Sequence, residues 1–454
     1  MKKLAFMMLM FSQGKILSQQ QPAFKPLRYE EDYALVKSGS NWYYKMKFHP
    51  LRSDNSKWIS IGGDIRYQYF YVQNENWGEE PQDKDGYLLT RILIHADFHA
   101  GKHIRTFVQL QSSMAGSRPS PSPVDANPLE IHQAFADYHF STSAKSKLTI
   151  RLGRQELLYG SQRLISVREG PNNRQSFDAV RSIFTSGHYK LDIFYSHFVA
   201  AKKDILDDGF NKNVQFWGAY LVKNKAPIFQ NIDLYYLGVW KRSASFDDGT
   251  GKEIRHSIGS RIWNSKGNWR YDVEGLYQFG DFSGKTISAW TASVSTSYKF
   301  NDAKLKPELN LKTELISGDK IYDDDKLQTF NPLFPRGAYF GLAALIGPAN
   351  LVDIHPGISF TLTKELTVDL DYDAFWRYRS NDGLYAVNMD PVYTGKNTSQ
   401  KYIGSQYAGS LVYKPNEFLY FRGELTWFAA GSYLKAAGTG KNILFTGVTA
   451  QLKF

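Results

Sequence analysis

Hydrophobic and polar residues alternate along most of this chain, and the stretch Leu366 to Arg379 carries the pattern at its clearest. Leu366, Val368, Leu370, Tyr372, Ala374, Trp376 and Tyr378 form one set, and Thr367, Asp369, Asp371, Asp373, Phe375, Arg377 and Arg379 form the other. A strand sends such sets to opposite faces, whereas helical spacing would mix them. One face is then apolar or aromatic throughout and the other carries five charges. The period starts at Trp58, where Ile59, Ile61, Ile65, Tyr67, Tyr69 and Tyr71 oppose Ser60, Asp64, Arg66 and Gln68. It returns at 87–100, 103–112, 130–140, 147–153, 177–185, 189–199, 214–223, 231–242, 253–263, 268–280, 286–300, 304–316, 351–362, 366–379, 403–413, 418–430 and 442–454. This predicts an all-β fold, a transmembrane antiparallel β-barrel of about 18 strands, oily outside and polar inside.

The connections test that expectation separately, because membrane barrels join strands by short periplasmic turns and long extracellular loops in alternation. Tight polar links follow the even-numbered strands, among them Ala100-Gly101-Lys102, Ser186-Gly187-His188, Asn301-Asp302-Ala303 and Thr363-Lys364-Glu365. Most odd-numbered strands are followed by long segments rich in Gly, Pro, Asp and Asn: 73–86, 113–129, 154–176, 200–213, 317–350 and 380–402. Leu444, Val448, Ala450, Leu452 and Phe454 form a last apolar set, interrupted by Thr446, that ends on the final residue.

Composition adds a location. No apolar run after the N-terminus reaches the roughly 18 residues of a spanning helix, and the mean hydropathy is -0.42, so membrane residence must come from strands. Aromatic residues make up 15% of the chain, which fits girdles at two membrane interfaces. Met1-Lys2-Lys3 followed by Leu4 to Phe11 reads as a secretory signal peptide over 1–18, with cleavage near Ser18. The lead-in 19–57 has no clean period and is expected either as a solvated periplasmic tail or tucked into the lumen, with the barrel over 58–454. The chain has no cysteine, which excludes disulfides and Cys-ligated metals. For an exported chain a net charge of +11 points to lipopolysaccharide phosphates, acidic polymers or small anions rather than nucleic acid.

The cations concentrate in one segment. Residues 151–181 hold Arg151, Arg154, Arg163, Arg168, Arg174 and Arg181 beside only Glu156, Glu169 and Asp178. Guanidinium forks match carboxylates bidentately and stay charged at any working pH. Folded inward, this segment would ring a constriction for anionic groups, with the acids orienting the arginines; left outside, it would clamp lipopolysaccharide. Arg66, Arg91 and Arg105 stand on predicted inner faces, as do Arg377 and Arg379, which are either pore residues or partners of Asp371 and Asp373. There is no Gly-x-Ser-x-Gly elbow, His-Glu-x-x-His or phosphate loop, so no enzyme is signalled, although a barrel lipid hydrolase is a rival reading. His95, His99 and His103 read as a water-facing trio, and Asp323-Asp324-Asp325 as solvated charge or a weak Ca²⁺ site in an external loop, with no other cofactor expected.

Three motifs give a family resemblance. Arg151 to Gly160, continuing through Arg163 to Asp178, resembles the signature of the alginate export porin family. Ser317-Gly318-Asp319-Lys320 with Leu327 to Gly341 resembles its second motif, and Phe375 to Arg379 with Asn381 to Tyr385 its third. The resemblance implies an eighteen-stranded outer-membrane barrel with an Arg/Lys-lined passage for an acidic polysaccharide. It also implies a final aromatic residue recognised by the barrel-assembly machinery. The expectation is therefore a monomeric channel in the outer membrane of a Gram-negative bacterium, surrounded by lipid and lipopolysaccharide. It would pass anionic saccharide, with a periplasmic export partner possible and a nutrient-uptake porin as the alternative.

Overall fold

The computed structural model describes residues 24–34, 42–82, 84–118, 121–143 and 145–454. The expected signal peptide lies outside them. Eighteen long strands follow the chain: β1 Lys57–Gln73, β2 Tyr87–Ala100, β3 Ile104–Gly116, β4 Asn127–Ser143, β5 Ser146–Gln155, β6 Phe177–Ser186, β7 Tyr189–Ala200, β8 Gly209–Ala226, β9 Gln230–Phe246, β10 Gly249–Asn264, β11 Trp269–Phe282, β12 Lys285–Lys299, β13 Glu308–Ile316, β14 Leu351–Thr361, β15 Leu366–Arg377, β16 Tyr402–Tyr413, β17 Leu419–Ala430 and β18 Ile443–Lys453. Each long strand pairs antiparallel with its neighbours in the chain, and β1 closes the sheet on β18 in the register Asp64 to Lys453 through Gln73 to Leu444. Closure removes the two bare edges that an open sheet would expose, which a membrane does not tolerate.

The faces sort as the alternation predicts. On β1, Ile61, Tyr67 and Tyr69 are exposed on the outside while Ser60, Asp64, Arg66 and Gln68 are buried on the inside. Ile94, Val108, Leu110, Leu152, Val180, Ile193, Ile258 and Leu370 continue the outer apolar surface around the wall. Tyr138, Phe140, Tyr189, Trp269, Tyr298 and Tyr413 point outward at the short-turn end, and Tyr69, Tyr195, Tyr277 and Trp427 do so toward the long-loop end. Two aromatic girdles result, where an amphipathic ring meets both hydrocarbon and water.

Three findings decide between or go beyond the sequence readings. First, residues 24–34 of the lead-in take the second of the two places expected for it and pack inside the barrel. Tyr29 sits edge-on to Phe107 and Phe135, at 6.0 and 5.2 Å between ring centroids, and its hydroxyl donates to the Glu156 carbonyl at 2.9 Å. Arg28 donates to the carbonyls of Gly63 and Phe454, both at 2.9 Å, and so pins the lead-in to the seam where β1 meets β18. Below that seam, His49–Pro50 pairs with Trp58 and Ile59, covering the part of β1 that β18 does not reach.

Second, the segments after β5 and β13 fold inward and touch each other. The Phe334 amide donates to the Leu164 carbonyl at 2.8 Å, and the Ser166 amide to the Phe334 carbonyl at 3.0 Å. Leu157, Leu164, Ile165, Leu333, Phe334 and Phe340 join Phe177, Phe194, Phe216 and Phe375 of the wall in one apolar cluster within the barrel. Asn172 holds the first segment by donating to the carbonyls of Thr90, Met114 and Asp125, at 3.1, 3.1 and 2.8 Å. Third, β8 to β10 run past the predicted limits. The connection from β9 to β10 is Asp247-Asp248 alone, shorter than the gap 243–252 that the alternation leaves.

Candidate functional site

A cavity of about 850 Å³ runs along the inner wall formed by β1, β17 and β18. It opens between two short turns, at Lys364-Glu365 and Lys414 to Phe418, and extends inward to Arg66, Glu169, Arg174 and Arg336. Nine basic side chains line it: Lys25, Arg28, Arg66, Arg174, Arg336, Lys364, Lys414, Arg422 and Lys453. Four acidic ones accompany them: Asp64, Glu169, Glu365 and Glu417. Few of these were legible as site residues beforehand. Arg28 and Lys453 lack any local motif, Arg336 stands in the second motif without reading as a site residue, and only the inward folding of two loops and the lead-in brings them to one space.

At the deep end three arginines converge on one carboxylate. Arg91 Nη2 lies 2.5 Å from Glu169 Oε1, Arg174 Nη1 lies 3.4 Å from Oε2, and Arg66 Nη1 lies 3.8 Å from Oε1. Arg66 also donates to the carbonyls of Glu169 and Pro171, at 2.6 and 2.8 Å, fixing the loop backbone beneath the cluster. The Glu169 side chain itself is 50% exposed, toward the cavity. Burial pushes its carboxyl up, but the guanidiniums of Arg91, Arg174 and Arg66 outweigh that and hold it well below the usual carboxylate range. Arg168 precedes it at φ +56, a left-handed backbone that aims the Glu169 side chain back into the lumen. The Arg168 guanidinium makes no ion pair or hydrogen bond among the described residues, and burial lowers its pKa.

The other sequence candidates occupy different places. Arg105 forms a two-bond fork with Asp97, both at 2.7 Å, and Arg151 does so with Asp137, at 2.7 and 2.8 Å. Arg181 pairs with Asp192, and these three pairs surround Tyr29, with the Arg151 guanidinium 4.2 Å above its ring. They hold the lead-in against the wall rather than lining the cavity. Arg154 pairs with Asp178 at 2.9 Å. Arg163 crosses the interior to Ser293 at 2.6 Å and Tyr339 at 2.9 Å, and reaches Glu274 and Glu314. Glu156 joins Arg174 at 2.8 Å to His132 at 2.8 Å.

Arg377 and Arg379 do not pair with Asp371 and Asp373. Arg377 donates to the carbonyls of Ser380, Asp382, Thr398 and Gln400 and lies 3.9 Å over the Tyr433 ring. Arg379 lies over the Tyr378 ring at 4.9 Å. Both acids contact His355 instead. His95, His99 and His103 do not form the water-facing trio: His95 is buried, His99 stacks on Trp58 at 3.9 Å, and only His103 is exposed. Asp323 pairs with Lys285 at 3.5 Å, and Asp324 accepts from the Lys326 amide.

By structure the barrel is similar to solved proteins of two bacteria. Pseudomonas aeruginosa OccK2 (OpdF), in complex with glucuronate, aligns with a TM-score of 0.55 at 9% identity, over 87% of this chain and 98% of that one. Pseudomonas aeruginosa OpdK with vanillate gives 0.54 at 10%, over 87% and 98%, and Acinetobacter baumannii OccAB1 gives 0.54 at 10%, over 90% and 99%. At such identities the likeness is one of fold. No curated protein matches the chain. The profile of the alginate export family matches residues 57–442, from the first strand to the edge of the last. With that span matched, the chain belongs to the alginate export family.

Proposed function

We propose that the chain is an outer-membrane channel for anionic solutes, with export of an acidic oligo- or polysaccharide through the Arg- and Lys-lined passage as its main role. The observation that carries this reading is the charge of the cavity, nine basic against four acidic side chains, ending on the Arg66, Arg91 and Arg174 cluster. Fixed guanidiniums lower the barrier for carboxylates, and the acids among them keep each stopping place weak enough to release its occupant. On this reading the short turns face the periplasm, where an export partner would deliver the chain of sugars. Lipid and lipopolysaccharide surround the apolar face, the assembly machinery reads the terminal Phe454, and the barrel works as a monomer. Family membership supports a channel rather than an enzyme.

A second reading, uptake of small carboxylates, draws support from the glucuronate and vanillate in two barrels of the same fold. Interruption of single-channel current separates the two. An oligouronate should block at lower concentration than its monomer and a neutral oligosaccharide of equal length should not block. Arg66→Ala with Arg174→Ala should weaken the block by about tenfold, the loss of roughly one charge-assisted contact. Tighter block by the monomer would favour uptake, and equal block by the neutral sugar would contradict both.

A further inference from the structure

On the inner wall, β14 and β15 bring a different set of side chains together. Asp353 and His355 alternate on β14 and so share its inner face, and Asp373 lies on the inner face of the neighbouring β15. One ligand atom from each of these three lies within 4.8 Å of the other two. All three residues are buried, and Asp353 is 1% exposed. An ion triad explains part of this: His355 Nε2 lies 3.2 Å from Asp371 Oδ1, and its Nδ1 touches Asp373. Asp353 falls outside that explanation. Its Oδ1 has no hydrogen-bond partner among the described residues.

Asp353 itself forms no ion pair among the described residues. Glu314 is committed to Tyr339 and Arg163, and Lys312, opposite His355 in the register, forms no ion pair with the cluster. A buried carboxylate without a counter-charge costs several kcal/mol, so the Asp353 carboxyl either holds a proton or meets a cation. We propose that Asp353, His355 and Asp373 form a mononuclear site for a divalent transition-metal ion of the zinc type.

One imidazole and two carboxylates are a donor set for such an ion, with a fourth position left for water, whereas Ca²⁺ asks for six to eight oxygens. The surroundings fit the arrangement of a metal histidine. Asp371 accepts the Nε2 proton, and a bound ion would take the place of the Nδ1 proton that now faces Asp373. On the other side Gln406 donates to Asp373 Oδ2 at 2.9 Å and to the Phe340 carbonyl at 2.7 Å, so the ion would also fix the inward loop that carries Phe340.

The test uses the full barrel, refolded without a histidine tag. Titration with Co²⁺ should give a saturable visible d–d spectrum at one equivalent per chain, which Zn²⁺ abolishes and excess Ca²⁺ leaves intact. Asp353→Asn and His355→Gln should each weaken Zn²⁺ binding at least tenfold, with heat-modifiable gel migration confirming that both variants still close. Absence of a saturable Co²⁺ spectrum in the unaltered chain would overturn the proposal whether or not the variants fold. Unchanged affinity in both folded variants, or displacement of Zn²⁺ by Ca²⁺, would overturn it equally.

Discussion

Glu169 is the residue on which the electrostatics of the lumen turn. Its carboxylate rests among Arg66, Arg91 and Arg174, where the carboxylate of a passing solute would otherwise rest. Glu169→Gln keeps the size of the side chain and removes its charge. We expect uronate to bind the lumen about fivefold more tightly in that variant, a modest figure because lumen water screens the lost repulsion. Block kinetics would report this as longer closed times, and unchanged closed times would show that Glu169 does not share the solute's site.

Two other acids give a pH dependence. Burial pushes Asp319 up to about 7 and Asp382 up to about 6, from an ordinary value of 3.8. The Asp319 amide donates to Asp382 at 2.8 Å, and Thr329 Oγ1 donates to it at 2.7 Å, so Asp382 ties the loop after β15 to the loop after β13. The docked loops hold the proton more tightly than released ones. Their stability is therefore fully present below about pH 4 and is lost as pH rises through 6 to 7. Hydrogen exchange over 317–330 should show more frequent opening at pH 8 than at pH 5, after correction for intrinsic rates. Asp319→Asn should flatten that difference, and opening that does not change with pH would contradict the assignment.

At the scale of the strand, the outer face is a solvent preference written every second residue. Leu370 lies outward on β15, 48% exposed, with Asp369 and Asp371 facing the other way. Leu370→Arg should lower the folding free energy in bilayers by about 2–4 kcal/mol, while Thr367→Arg on the inner face should change it by under about 1 kcal/mol. Urea titration of the lipid-bound barrel measures both, and equal costs would deny that hydrocarbon bathes the Leu370 side.

The wall strands were legible because a period of two needs no knowledge of partners. What lies inside them was not. Phe107 and Phe135 stand on faces otherwise polar, and nothing nearby in the chain announces that Tyr29 will pack on them. Phe334 meets Leu164 and Ser166 across 170 residues of sequence separation or nearly so, and irregular loops leave no periodic trace of such a meeting. For the same reason the arginines of 151–181 part company, although in sequence they form one cluster: Arg174 lines the cavity, Arg151 and Arg181 brace Tyr29, and Arg154 and Arg163 pair elsewhere.

The whole molecule is a closed apolar cylinder whose interior is packed on one side and basic on the other. Ion pairs such as Arg105 with Asp97 and Arg151 with Asp137 brace the packed part, and the excess cations border the open part. A soluble sandwich would invert this distribution and place the Leu, Val and Tyr rows between its sheets. The family match and the barrel architecture agree with a channel, and the anion preference proposed for it rests on the excess of basic side chains along the cavity.

The most direct measurement is the reversal potential of single channels in a planar bilayer under a salt gradient. The account predicts a potential displaced toward the anion equilibrium value, and a shift toward zero when Arg66 and Arg174 are both replaced by Ala. A cation-selective channel, or anion selectivity that survives both substitutions unchanged, would contradict it.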